Sequence, residues 1–237
     1  MTRFERLFVW TGGAMFVLSL AACAYFYVVA WASPATEGDW RPASAIAIDT
    51  ALFAVFALHH SLFAREPIKK TIARVVPGHL VRSFYVWTAS VLLLGVLALW
   101  QPVRGDVYQV TGWPALAHAA VQLSGIWLTA RSVATIDPLE LAGIRHGDAG
   151  SADGPAENVL QTGGPYRWVR HPVYLGWVLA LFGAAHMTAD RLAFAAISTA
   201  YLLAAIPWEE RSLGRVFGEP YARYQRAVRW RVVPYVY

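Results

Sequence analysis

The sequence predicts an all-α fold, a polytopic transmembrane helix bundle of about six spans, on three observations. The chain is 57% hydrophobic and only 15% charged over its 237 residues, where a soluble domain carries about 25% charged residues. Its charges leave long gaps, with none between Arg6 and Glu37, between Arg82 and Arg104, or between Asp106 and Arg131. Each gap is near or above the roughly 18–20 apolar residues that cross a bilayer as a helix. The basic residues, finally, alternate in density from one connecting segment to the next. Disorder, a disulfide scaffold and a cytosolic enzyme are excluded as overall descriptions, since apolar sequence dominates and Cys23 is the single cysteine.

Six apolar segments follow in order: 7–32, 43–64, 83–103, 113–130, 172–189 and 192–208. The first contains Leu20-Ala21-Ala22-Cys23 after two arginines, which imitates a lipoprotein cleavage site. Apolar sequence continues through Tyr25, Phe26, Tyr27 and Trp31, so a retained transmembrane helix is favoured over cleavage. The last two segments are short, and a tight turn at Asp190-Arg191 would join them as a helical hairpin. Tails and loops hold, in order, 2, 1, 5, 1, 4, 1 and 6 Lys plus Arg. Seventeen of the twenty therefore fall on one side, which places both termini and the two longer loops in the cytoplasm. Such a protein sits in a membrane, in a bacterium the inner one. The sequence pI near 9.5 is then a matter of basic loops facing an anionic leaflet, so membrane lipid is a partner and nucleic acid is not.

Residues 131–171 form a long loop whose middle, His146 to Pro155, is rich in Gly, Ala and Asp. Loops of this length are usually functional or disordered. Beyond the sixth segment, Leu213, Val216, Phe217, Tyr221, Tyr224 and Val228 recur at roughly helical spacing among basic side chains. They read as one or two amphipathic helices interrupted at Gly218-Glu219-Pro220. Residues 1–130 are expected to form a four-helix transmembrane region. Residues 131–237 would hold the loop, the hairpin and the C-terminal helix. No internal repeat or soluble second domain is evident.

The densest polar feature runs from Gly163 to Gly176 and contains Tyr166, Arg167, Arg170, His171, Pro172 and Tyr174. Pro172 suits a first helical turn. Free N–H groups there, with Arg167, Arg170 and His171, would hold a carboxylate or phosphate. A basic membrane-edge anchor accounts for the same arginines. Glu209-Glu210 follow the sixth segment, where adjacent carboxylates are functional, paired, or a solvated helix end balanced by Arg211 and Arg215. A hairpin would bring the two features together, giving a pocket suited to a zwitterion with a carboxylate and an ammonium or sulfonium. His59, His60, His118 and His186 lack the spacing of a metal or haem site, so no metal is expected. Asp49, inside the second segment, is a suspect by its burial in lipid, with Thr50 or Ser44 as candidate partners. Asp137-Pro138-Leu139-Glu140 reads as a cap or turn more readily than as a catalytic pair.

Arg170-His171-Pro172-Val173-Tyr174-Leu175-Gly176, followed by Glu209-Glu210, Leu213, Phe217-Gly218, Tyr221, Tyr224 and Arg229 to Pro234, resembles the isoprenylcysteine carboxyl methyltransferase superfamily. That group also includes phospholipid N-methyltransferases and shares a C-terminal half with sterol reductases. The match covers about the last 80 residues. Upstream, His60 to Arg65, Arg82 to Val86, Trp100-Gln101-Pro102 and Ile136 to Arg145 resemble its bacterial branch, which contains methanethiol S-methyltransferases.

The resemblance implies a membrane methyltransferase using S-adenosylmethionine. The positions that hold this cofactor in better-known members fall on Asn158, Val159, Leu160, Gln161, Tyr166, His171 and Glu209. Arg170 and Tyr174 join them from the same motif, with Arg170 and His171 expected on the cofactor's carboxylate and Glu209 on its ammonium. Glu209, Glu210 and Arg215 are expected to be catalytic, Arg215 by favouring the acceptor's thiolate. Prenylcysteine enzymes carry an Arg about one turn before the Glu pair to grip the substrate carboxylate, and Ala205 stands there. The expected acceptor is therefore a small or lipophilic thiol, with no obligate protein partner. A prenylcysteine carboxylate, a phospholipid amine, or a nicotinamide-dependent reduction by the shared C-terminal pocket are the alternatives.

Overall fold

The computed structural model describes residues 1–36, 42–63, 68, 71–135, 139, 142–144 and 160–237. Asn158, Val159, Asp137, Pro138, Glu140 and the Gly/Ala/Asp-rich stretch 146–155 lie outside the described residues. The chain is mostly helical, 73% helix and 3% strand. It divides into two compact units, one of Met1–Gly105 with Asp137–Ala156, the other of Asp106–Ile136 with Glu157–Tyr237.

The first unit is built on three long helices: α1 (Arg3–Val28), α2 (Pro42–Phe63) and α3 (Val81–Ala98). Thr2 starts α1 through a capping box, its hydroxyl accepting from the Glu5 N–H at 3.1 Å while Glu5 Oε2 accepts from the Thr2 N–H at 2.6 Å. Trp87 on α3 stacks on Phe8 and donates its indole N–H to the Phe8 carbonyl at 3.0 Å. Asp49, fully buried on α2, accepts the Gln101 N–H at 2.8 Å just beyond α3. The Thr50 hydroxyl bonds the Ile46 carbonyl of its own helix instead. Ser83 on α3 donates to the Gly143 carbonyl at 2.7 Å.

In the second unit, strand β1 (Asp106–Gln109) leads into α4 (Trp113–Val133). After a 3₁₀ turn over Gly164–Arg167 come α5 (Pro172–Phe182), strand β2 (His186–Thr188), α6 (Ala189–Phe217) and α7 (Glu219–Ala227). Helices α4 and α5 meet backbone to backbone. A Cβ at Gly125 would lie 2.3 Å from the Ala180 nitrogen, and one at Gly176 would lie 2.4 Å from Thr129 Oγ1. Only hydrogen fits at those crossings. Gln122 adds a bond to the Ala180 carbonyl at 2.9 Å.

Among the described residues, four helical stretches are long and apolar enough to cross a membrane: Arg3–Ala32, Pro42–Phe63, Gly78–Ala98 and Ala189–Phe217. The expected fourth segment is the helix α4, which is not among these four. The expected fifth segment, 172–189, is corrected more substantially. Helix α5 ends after 11 residues, and the chain then runs extended into β2, which pairs antiparallel with β1 through Tyr108↔Met187 and Gln109↔His186. The fold is thus mostly helical, as expected, with one short two-stranded ribbon among the described residues. The ribbon satisfies backbone groups that a longer α5 would have satisfied internally.

The turn between the hairpin helices is corrected with it. Asp190 and Arg191 are not a tight turn but the first turn of α6, where the Thr188 hydroxyl caps the Arg191 N–H at 3.3 Å. Helix α6 also continues past residue 208 for 29 residues in all, through Pro207, so Glu209 and Glu210 lie within a helix and not at its end. It stops at Gly218, whose φ of +58° turns the chain into amphipathic α7, with Tyr221 and Tyr224 on the buried face. That break falls where the sequence places it.

Candidate active site

The site lies wholly in the second unit and grows from the segment before α5. The Trp168 N–H returns to the Pro165 carbonyl at 3.0 Å, closing the 3₁₀ turn that carries Tyr166. His171 is the N-cap residue of α5, and its carbonyl accepts the Tyr174 and Leu175 N–H groups at 3.1 Å each. Pro172 at the first helical position lacks only an N–H that would have had no helical partner. Antiparallel to α5, α6 is held by Trp177 Nε1 on Ser198 Oγ at 3.0 Å. That register sets the Glu pair beside the start of α5.

Glu210 is buried and carries three donors. Arg170 Nε reaches its Oε1 at 2.6 Å, His171 Nε2 lies 3.4 Å from the same oxygen, and Arg231 Nε reaches Oε2 at 3.2 Å. A carboxylate removed from water is tolerable only with such partners. Arg170 is itself committed, because its Nη1 also donates to the Val228 and Arg229 carbonyls at 2.8 Å each. The arginine expected to meet a cofactor carboxylate is therefore a brace between α6 and the chain's last residues. Burial works against the Arg231 charge, but the Glu210 carboxylate and Tyr237 outweigh it and hold its pKa above the usual value.

Glu209 has a different environment. Its side chain is 44% exposed. Its Oε2 accepts the Tyr174 hydroxyl at 2.7 Å and lies 3.7 Å from His171 Nδ1. The His171 ring stacks on Tyr174, with centroids 5.2 Å apart and planes at 14°. Burial pushes the Tyr166 phenol up, a hydrogen bond with Thr135 pulls against it, and the Glu209 charge adds to the rise. The Tyr224 hydroxyl donates to the Tyr166 carbonyl at 2.7 Å, tying α7 to the turn. For Tyr221, burial and then the Glu210 charge push the phenol up to about 12, so it stays neutral in physiological conditions.

The structure thus brings Tyr166, Arg170, His171, Tyr174, Glu209 and Glu210 together. Leu160 is half-buried and Gln161 exposed in the approach to the turn. Arg215 is exposed, with no ion pair among the described residues, and does not join the cluster. Arg231 and Tyr237 belong to the site's frame and had no role assigned from sequence. Arg231 falls in the Arg229–Pro234 stretch that carries the resemblance, which was the available signal. Elsewhere, His60 Nδ1 pairs with the Tyr85 hydroxyl at 2.5 Å, His59 packs on Phe63 and Tyr85, and His186 Nε2 pairs with Asp106 at 2.6 Å. No group of three or more metal-ligating side chains occurs among the described residues.

Comparison with known proteins follows the same residues. The family model described as phospholipid methyltransferase matches residues 119–220, from α4 into the start of α7. The methanethiol S-methyltransferase of Pseudomonas deceptionensis is 36% identical over 189 residues, covering 78% of this chain and 71% of that protein. The chain belongs to the methanethiol S-methyltransferase family. Methanethiol S-methyltransferase 2 of Bradyrhizobium diazoefficiens is 35% identical over 197 residues, with 83% of this chain and 74% of the relative covered. The Mycobacterium tuberculosis member is 36% identical over 189 residues, covering 78% and 76%. No solved structure matches this chain.

Proposed function

We propose that this chain is an integral membrane methyltransferase that moves the methyl group of S-adenosylmethionine to the sulfur of a small thiol such as methanethiol. The observation that carries the reading is the half-exposed Glu209 carboxylate, oriented by Tyr174 and flanked by His171, on the helices that the family model matches. The donor set suits that cofactor. An exposed carboxylate beside aromatic rings fits an amino acid ammonium and a neighbouring sulfonium. When bound, S-adenosylmethionine supplies a methyl group already activated by sulfonium charge.

The protein's own part is positioning and desolvation. Glu209 and Tyr174 hold the ammonium. Tyr166, His171, Leu160 and Gln161, with Asn158 and Val159 by resemblance, complete the cofactor's surroundings. Arg170 and Glu210 act behind them, as a charged brace that fixes the start of α5 against α6. Arg215, an exposed cation of α6 with no ion pair among the described residues, is available to favour the acceptor's thiolate over its thiol. Positive charge in alternate loops supports cytoplasmic termini and a site on the cytoplasmic face. Ala205 puts no guanidinium at the position that grips a prenylcysteine carboxylate, which supports a small or lipophilic thiol as acceptor.

The test is labelled methyl transfer from S-adenosylmethionine in detergent, with methanethiol, a prenylcysteine analogue and phospholipid as parallel acceptors. Methanethiol is expected to be methylated to dimethyl sulfide in preference to the others. Absence of S-adenosylmethionine binding by calorimetry, or label passing only to phospholipid or prenylcysteine, would overturn the reading.

A further inference from the structure

The last ten residues fold back on the site as a strap. The Arg170 N–H donates to the Trp230 carbonyl at 2.9 Å and the His171 N–H to the Arg231 carbonyl at 2.8 Å, a short pairing just ahead of α5. The Arg170 side chain seizes the strap's Val228 and Arg229 carbonyls. Val232 is 1% exposed. The strap is also braced internally, because the Tyr237 main-chain oxygen accepts from the Arg231, Val232 and Val233 N–H groups at 2.9, 2.9 and 3.2 Å. Arg231 Nη1 meets the Tyr237 hydroxyl at 3.0 Å, and its guanidinium lies over the Tyr237 ring at 5.1 Å. The remaining reach of Arg231 goes to Glu210 Oε2.

We propose that Arg231 is a positioning residue of the methyl-donor site: the strap 228–237 uses it to fix Glu210, and Glu210 in turn fixes the His171 ring against Glu209 and Tyr174. The physical logic is a division of the Glu210 oxygens. Oε1 serves Arg170 and His171, and the Arg231 grip on Oε2 pins the opposite oxygen, so the plane of the carboxylate is held from both sides. Without Arg231, a buried carboxylate keeps its charge and its Oε1 partners but loses the restraint on Oε2, and the imidazole bonded to it has a less rigid partner. Arg231 itself need not touch donor or acceptor. The charged and titratable groups facing His171 are Glu209 and Glu210 from α6, Arg170 and Tyr174 from its own segment, and Arg231 reaches it through Glu210.

The proposal rests on the donor-binding reading above for its kinetic arm and is independent of it for its structural arm. In full-length protein in detergent, Arg231→Ala is expected to raise the dissociation constant for S-adenosylmethionine at least about tenfold, the scale of one lost charge-assisted hydrogen bond. The KM for methanethiol should stay within about twofold, because an acceptor contact is not altered. Arg231→Lys should recover part of the donor affinity by restoring charge without the planar fork. Tyr237→Phe, which removes only one support of the guanidinium, should shift the donor constant in the same direction by less.

Hydrogen exchange of the Arg170 and His171 amides, measured without any ligand, should quicken in each variant in the same order. If Arg231→Ala does not fold, Arg231→Lys and Tyr237→Phe carry both arms. Unchanged exchange at 170–171 would overturn the strap, and parallel changes in donor and acceptor constants would overturn the positioning role. If wild-type protein binds no S-adenosylmethionine, the proposed function fails while the exchange measurement still decides the strap.

Discussion

In the first unit three side chains, none of them exposed, each reach a backbone group. Asp49 takes the Gln101 N–H, Ser83 supplies the Gly143 carbonyl, and Trp87 supplies the Phe8 carbonyl. In the second unit the carboxylates of the candidate site are held by other side chains. Arg170, His171 and Arg231 converge on Glu210, while Tyr174 and His171 flank Glu209. Isolated pairs close gaps where helices end, so their loss is felt as stability. On the proposed function, a converging network fixes the orientation of groups that would meet a ligand, so its loss should be felt as binding and rate. The lesson is that the arrangement of partners separates structural from functional polar groups better than burial does, since Asp49 and Glu210 are both buried.

That contrast can be broken in several places. The largest effect is expected from Gly176→Leu, because its Cβ alone would collide with Thr129 and the Gly125 carbonyl. The strain should exceed the roughly 1–3 kcal/mol usual for an overpacked core, and detergent thermal unfolding should show little folded protein. Glu209→Ala should leave unfolding unchanged, as befits a half-exposed side chain, and reduce methyl transfer at least about 100-fold through lost donor positioning. Asp49→Ala should do the reverse. Stripping the Gln101 N–H of its acceptor should cost about 1–3 kcal/mol in chemical denaturation, with methyl transfer per folded molecule within about twofold. Equal damage to activity there would erase the distinction between the units.

Two smaller effects sharpen it. Tyr221 ionises near pH 10 when unfolded and at about 12 when folded, so between those values the folded state keeps a proton that the unfolded state has lost. Stability should therefore fall as pH rises from about 10 to about 12 and be unaffected by this group below that window. Tyr221→Phe should flatten the decline in a melting-temperature series. Arg215→Ala should be the mildest change, at most about fivefold in methyl transfer, since an exposed charge contributes up to about 1 kcal/mol. A larger loss confined to the acceptor constant would draw Arg215 into the network.

Much of the site was legible because its two halves are each compact in sequence. Arg170-His171-Pro172 and Glu209-Glu210 are local motifs, and a hairpin between them leaves little choice about where they meet. The break at Gly218-Glu219-Pro220 was legible for a similar reason, as a positive-φ residue and a proline in one tripeptide. Arg231 was not, because it is one of six basic residues after the last apolar segment, and the resemblance over Arg229 to Pro234 marks the stretch without saying which side chain turns inward. The ribbon escaped as well. Asp106–Gln109 and His186–Thr188 are too short to show alternation, and each strand depends on the other for its hydrogen bonds. The end of the sixth apolar segment was set by charge at Glu209, whereas the helix is set by its hydrogen bonds and runs on to Phe217.

The length of α6 has a consequence for how an acceptor arrives. Glu209 stands 18 positions beyond Arg191, a rise of about 27 Å along a helix, close to the roughly 30 Å of a bilayer's hydrocarbon layer. The arginine and the carboxylate are thus spaced to lie at opposite margins of the lipid. A small thiol that dissolves better in hydrocarbon than in water is enriched along the whole of that distance. On the proposed function the membrane would act as a reservoir for the acceptor, whose working concentration would be set by partitioning rather than by the aqueous supply.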